Sequence, residues 1–331
     1  VTTFPNFVDL PLGAAVDAIV SWLLANVKPL FDVIFQVLLA CVNFVETGAS
    51  SGAPAAIAVA SGFGALTILI LIQKKRGWFK SLAVGIPMLS LLFFGFLGMP
   101  WFLLIANVVL LGLRFLDRWL HAVGMGVLVL LIGLLGYWDL AMRTLALVFS
   151  SVIFSLLIGI PTGILMARSN RYQAVMRPLL DGMQTMPSFV YLIPALMFFG
   201  LGKVPALIAT IIYAVPPVIR LTNVGIREVD KEAVEAARAF GATRNQVMLD
   251  VQLPLAKPTI MVGINQTTMM ALAMVVIGSM IGARGLGMEV LLAINRVEVG
   301  RGFEAGIGIV LMAIVIDRLT HALSKKSKPQ K

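Results

Sequence analysis

The chain has 331 residues, 59% of them hydrophobic and only 13% charged, and a mean hydropathy of +0.96; this balance excludes a soluble globule, and the lack of strict alternation excludes a β-barrel. The formal net charge of +10 would suit a nucleic-acid partner, but in a membrane chain it reports the excess of Lys and Arg in inner loops. One cysteine, Cys41, leaves no intrachain disulfide, and His121 and His321 are too few and too far apart for a metal centre.

The first residues, VTTFPNFVDL, have neither a basic start nor a continuous apolar core, so no cleavable signal peptide is expected there. Residues 1–53 read as amphipathic. Val16, Ile19, Val20, Leu23 and Leu24, then Phe31, Ile34, Phe35, Leu38 and Val42, recur at helical spacing. Asp17, Asn26, Lys28, Asp32, Gln36 and Asn43 interrupt any bilayer-length run. The pattern predicts two extracytoplasmic or interfacial helices lying along the membrane, followed by a flexible break at Gly48 to Pro54. The first span is expected at Ala55 to Ile72, closed by the basic cluster Lys74, Lys75, Arg76 and Lys80.

Further spans are expected at about 81–97, 101–116, 122–138, 141–167, 187–202, 204–226, 257–283 and 303–321, giving nine in an all-α polytopic membrane bundle. The pair 81–97 and 101–116 could instead form a re-entrant hairpin, given Pro87, Gly98 and Pro100. Most of the 26 Lys and Arg residues fall in or beside the loops at 74–80, 114–121, 168–186, 228–256 and 318–331. These loops are therefore placed inside, with the N-terminus outside and the basic tail, residues 324–331, in the cytoplasm. Residues 54–134 form a variable N-terminal group of spans, and 135–323 the core.

Between two apolar spans lies a charged island, residues 228–258. Glu228, Asp230, Glu232 and Glu235 lead and Arg238 follows, complementing a helix dipole, and Gly241 falls where a left-handed C-terminal cap belongs. A second amphipathic run, Asn245 to Leu253, is expected to stop at Pro254 and Pro258. The island reads either as a docking loop or as an interfacial helix pair packed on its own bundle; the spacing of the glycine and the Leu-Pro pair favours docking.

Asn265, Gln266, Thr267 and Thr268 form a polar cluster inside an apolar span. They would line a translocation path or hold helices together by interhelical hydrogen bonds. Phe189, Tyr191, Phe198, Phe199 and Tyr213 could face a passing cation, although aromatic residues at such positions commonly serve packing and the membrane boundary. Asp139, Asp181 and Asp317 are expected near turns or helix ends, which argues against proton coupling. Gly200, Gly202 and Lys203 lack the remaining residues of a phosphate-binding loop, and Gly282 to Gly287 reads as a flexible outer turn. No catalytic constellation is present.

Glu235, Ala236, Ala237, Gly241, Val251, Leu253 and Pro254 resemble the EAA loop of ABC-importer permeases. The strings Gln184 to Pro194, Tyr213 to Leu221, Ile264 to Ile281 and Gly285 to Gly287 are similar to the glycine betaine/proline group of these permeases. The resemblance spans about 135–323. It implies a homodimeric type I permease of the bacterial inner membrane that works with a cytoplasmic ATPase dimer and an extracytoplasmic substrate-binding protein, importing quaternary ammonium osmolytes of the betaine, choline or carnitine class. It implies ATPase coupling through Glu235, Ala236, Ala237, Gly241, Leu253 and Pro254; the candidates for a path remain Tyr191, Tyr213, Asn265, Gln266, Thr267 and Thr268, read from their residue types alone. No cofactor belongs to this chain; ATP and magnesium belong to the partner. The outer loop 284–302 would face the binding protein. Residues 48–97 are longer than the corresponding part of the family. Two other readings are a secondary, ion-coupled transporter of small amines or amino acids acting without an ATPase, and a membrane-integral subunit without a path.

Overall fold

The structure, a computed structural model, describes residues 12–48, 87, 90–91, 95–115 and 119–325. The expected span Ala55 to Ile72, its Lys74 cluster, most of 81–97 and the last six residues lie outside the described residues. Among the described residues the regular structure is entirely helical.

Where the sequence suggests two interfacial helices, there is one helix, α1, from Leu12 to Thr47, and its stretch Val27–Thr47 is long and apolar enough to cross a membrane. The polar residues lower hydropathy without breaking backbone hydrogen bonding. Pro29 sits within the helix without ending it. The C-terminal end of α1 is tied to the bundle. Phe96 and Leu97 N–H groups donate to the Val45 and Glu46 carbonyls at 3.1 and 2.7 Å, capping groups that have no partner within α1. The turn that presents them needs Gly95, whose φ is +63°, and a Cβ there would lie 2.6 Å from the Glu46 carbonyl oxygen.

Helices α2 (Trp101–Phe115) and α3 (Trp119–Leu134) have 15 and 16 residues. The first matches the expected 101–116 and the second overlaps 122–138; at 1.5 Å per residue each is shorter than the roughly 30 Å hydrocarbon core. Then come α4 (Trp138–Arg168), α5 (Asn170–Thr185), a 3₁₀ turn (Ser188–Tyr191) and α6 (Leu192–Phe199). The expected span 187–202 is present only as the continuous segment Ser188–Phe199, and the break lies at its start, between it and α5. Pro187 has no N–H, and Met186 before it is extended at ψ 136°; the axis turns by 109° between α5 and the Ser188–Phe199 segment.

At the centre is α7 (Lys203–Arg227), most of whose apolar window is buried. Short residues let its neighbours approach closely. A Cβ on Gly163 of α4 would come within 2.8 Å of the Ile219 carbonyl oxygen. On the next long helix, α9 (Leu253–Ser279), one on Gly263 would lie 3.2 Å from the Val218 Cα. In lipid, where burial of apolar surface gives no drive between helices, such backbone contact supplies the packing energy. Between α7 and α9 lies α8 (Lys231–Ala239), and the chain closes with α10 (Leu286–Arg296) and α11 (Val299–Lys325). Five described helices are long and apolar enough to cross a membrane, six if the bent segment counts as one crossing.

Candidate functional site

The acidic island folds as its charges demand. The Asp230 side chain accepts the Glu232 N–H at 3.0 Å and starts α8, and no residue of α8 is buried. Gly241, at φ +81°, ends it: its N–H donates to the Arg238 carbonyl at 2.9 Å and the Ala242 N–H to the Ala237 carbonyl at 3.1 Å. These two bonds are the Schellman pair, so the expected left-handed cap is present. Phe240, the last residue before the cap, is 94% exposed. Glu235, Ala236 and Gly241 are exposed, whereas Ala237 is half-buried.

Thr243 and Gln246 form a reciprocal capping box that opens a helical turn, Arg244–Gln246. The turn does not stop at the prolines. It passes through a π-helical stretch, Val247–Gln252, in which the Leu253 N–H bonds back to the Met248 carbonyl, and continues directly into α9. The wider turn accommodates Pro254 near the start of α9, and Pro258 lies inside that helix, so the expected stop is corrected to a continuous run from Arg244 to Ser279. Leu253 is half-buried and Pro254 exposed.

Two arginines on either side of α8 reach one elbow, where α4 meets α5. Arg227 donates to the Met166 carbonyl at 2.7 Å, to Asn170 Oδ1 at 2.9 Å and to Asn223 Oδ1 at 3.0 Å. Arg244 donates to the Arg168 carbonyl at 2.9 Å. Asp181, expected in a loop, lies on α5 and pairs with Arg220 of α7.

Among the path candidates, Tyr191 and Tyr213 are brought together, with ring centroids 6.1 Å apart and tilted by 59°. Tyr191 is buried, and its hydroxyl donates to the Met183 carbonyl. Of Phe198 and Phe199, the first stacks on Phe31 of α1 at 4.6 Å and the second meets it edge-on at 5.7 Å, so both have packing partners. Within 265–268 the four side chains part company. Asn265 donates to Asp317 Oδ1 at 3.2 Å and accepts from the Thr320 hydroxyl at 2.5 Å, committing its amide to α11. Gln266 is exposed. Thr268 bonds back to the Ile264 carbonyl at 2.8 Å, and the fully buried Thr267 hydroxyl has no hydrogen-bond partner.

At the far end, the Leu286 N–H donates to Thr144 Oγ1 at 2.9 Å and fixes α10 to α4. Arg301 bridges Glu289 at 2.5 Å and Glu298 at 3.2 Å, and Tyr137 donates to Glu304 at 3.4 Å. Burial, and then the Glu304 carboxylate, push the Tyr137 phenol above its ordinary value, so it stays a donor at neutral pH. Groups of His, Cys, Asp and Glu arranged to hold a metal ion are absent among the described residues.

A helical bundle with long apolar helices, one broken crossing and an uncovered amphipathic helix between two of its longest members has the type I ABC importer permease fold. The inward-facing MetNI methionine ABC transporter superposes on 56% of this chain and 94% of its own with a TM-score of 0.51; at 22% identity the likeness concerns the fold. Residues 159–329 match the family described as binding-protein-dependent transport system inner membrane component, and the chain belongs to that family. The glycine betaine/proline betaine permease ProW of Escherichia coli (strain K12) is 50% identical over 236 residues, covering 70% of this chain and 65% of that one. This chain thus spans a little under two thirds of that relative. The glycine betaine permease OpuAB of Bacillus subtilis (strain 168) is 39% identical over 319 residues, 96% of each chain. The glycine betaine/carnitine permease GbuB of Listeria monocytogenes is 55% identical over 201 residues, 61% of this chain and 71% of its own. The chain is accordingly a multi-pass member of that inner-membrane component family.

Two parts of this site are only weakly marked in the sequence, the exposed Phe240 and the contacts of Arg227 and Arg244 with the elbow. The aromatic Phe240 in a charged island was the one available signal for an uncovered contact. The arginines that reach the elbow bind backbone carbonyls, and carbonyls leave no mark on residue identity.

Proposed function

We propose that the chain is the membrane subunit of an ATP-driven importer for quaternary ammonium osmolytes, of the glycine betaine, proline betaine, choline or carnitine class. A separate ATPase dimer binds ATP and magnesium and docks on α8, with Glu235, Ala236, Ala237, Gly241, Leu253 and Pro254 shaping the coupling loop. The permease core, 135–323, pairs with a second copy, and an extracytoplasmic binding protein meets the segment 284–302, expected as a loop but folded as α10 and the start of α11. The N-terminus then lies outside and the basic tail in the cytoplasm. The observation that carries the reading is the state of α8: capped at both ends, with no buried residue, and ending in a Phe that is 94% exposed. A helix so completed, yet so little covered, is built to be received by another surface.

In the path, Tyr191 and Tyr213 offer π faces to a quaternary ammonium group, and Gln266 offers its exposed amide; Thr267 and Thr268 line the deeper part. The test is uptake by the reconstituted complex of permease, ATPase and binding protein, with betaine, proline, choline and carnitine supplied in turn. Uptake that requires ATP and is restricted to this class bears out the reading. Uptake that continues without the ATPase assigns the chain to secondary transport instead.

A further inference from the structure

Arg227 is the last residue of α7 and Arg244 opens the helical turn beyond α8, so the two bracket the exposed helix. Both end on the same elbow. The Met166 and Arg168 carbonyls belong to the last turn of α4, where the final four carbonyls lack intrahelical partners and the helix dipole favours a cation. Arg227 is held by three hydrogen bonds, to Asn223, Met166 and Asn170; Arg244 makes one, to Arg168. Beneath the bracket, Ile226, Met248, Ala256 and Ile260 form a buried cluster with Ile164 and Ala167, joining the ends of α4 and α7 to the π-helical stretch and α9. The elbow itself is stiff, because the Ser169 side chain accepts the Tyr172 N–H and starts α5 without an intervening loop. At the other end of α5, the Met183 carbonyl holds the Tyr191 hydroxyl.

We infer that Arg244 is a positioning residue that passes displacement of α8 to the α4–α5 elbow, and through α5 to Tyr191, while Arg227 holds the other side of the bracket. The inference rests on the coupling reading above. Arg227 cannot serve this purpose, since its three bonds tie α7 to the elbow however α8 moves. Arg244 is separated from α8 only by the Gly241 cap and the Thr243 capping box, so it moves with the end of α8. Its single bond to a carbonyl pulls on the backbone of α4.

The experiment uses the complete complex in proteoliposomes and measures glycine betaine uptake, ATP hydrolysis and the amount of ATPase that copurifies. Arg244→Ala keeps the ATPase bound and hydrolysing but lowers uptake per ATP about tenfold, the factor for one charge-assisted hydrogen bond lost from the transmitting state. Arg244→Lys recovers most of it, because an ammonium group also donates to a carbonyl. Unchanged uptake per ATP in Arg244→Ala overturns the inference. Loss of the ATPase from the Arg244→Ala complex overturns it as well, because Arg244 is then a docking contact. Failure of the coupling reading itself is seen separately, as normal uptake by Glu235→Lys, and removes the inference with it.

Discussion

Asn265 of α9 donates to the Asp317 carboxylate of α11 at 3.2 Å, and Thr320 closes the cluster by donating back to Asn265. A polar residue in an apolar span has to find a partner, and here the partner is another helix, one turn from the end of the described chain's last crossing. Gln266, the next residue, is exposed. Adjacent positions in one polar cluster therefore have different duties.

That division predicts different outcomes for two substitutions. Asn265→Ala strips Asp317 and Thr320 of their common partner and lowers the stability of the folded permease by about 1 kcal/mol, the usual worth of an interhelical hydrogen bond in a membrane protein. Gln266→Ala leaves stability unchanged and alters uptake. Thermal unfolding in detergent and reconstituted uptake, measured on both variants, separate the two; equal destabilisation by both would remove Gln266 from the path.

Lys203 at the start of α7 pairs with Glu46 at 2.7 Å, and the Glu46 side chain is only 10% exposed. Lys203→Ala leaves that carboxylate nearly buried and without its cation, a loss of about 3 kcal/mol. Replacing both, as Lys203→Met with Glu46→Leu, restores most of the stability, because apolar packing of similar volume removes the desolvation penalty along with the attraction. Unfolding of the single and double variants checks this, and a double variant as unstable as the single one would show that the pair contributes more than it costs.

Gly241 needs its glycine for backbone conformation and not for space: φ is +81°, and an added Cβ meets nothing within 4 Å. Gly241→Asn, which tolerates the left-handed region, is therefore mild, whereas Gly241→Val removes the cap and displaces the end of α8. The expected order of uptake is Gly, then Asn, then Val, with membrane insertion unaffected. Equal activity of the three would detach the cap from function.

The parts of this molecule that were legible in sequence are those governed by neighbours along the chain. The cap at Gly241 followed from an acidic lead and a glycine at the right distance, and α4, α7 and α11 followed from unbroken apolar length. What was not legible depends on hydrogen-bond register or on partners far along the chain. Pro254 and Pro258 look like stops, but five-back bonding at Val247–Gln252 leads the helix into Pro254 at the start of α9, and Pro258 lies inside α9 without ending it. Pro187 looks tolerable within a span, but it turns the axis by 109° with its neighbours. Polar residues in α1 look like interruptions, yet Asn43 and Glu46 are satisfied by Lys203.

Phe240 provides the sharpest test of the proposed docking surface. At 94% exposure it makes almost no contact within the chain, so its removal has little to disturb in the permease itself. Burying a Phe side chain at an interface contributes about 2 kcal/mol, which corresponds to roughly thirtyfold in affinity. Phe240→Ala therefore leaves the unfolding temperature of the isolated permease unchanged and weakens ATPase binding about thirtyfold, measured by titrating purified ATPase onto permease in nanodiscs. Phe240→Leu keeps most of the apolar area and most of the affinity. Were ATPase affinity the same for Phe240 and Ala, the receiving surface would have to lie on another part of α8, and the exposed aromatic ring would have no role in coupling.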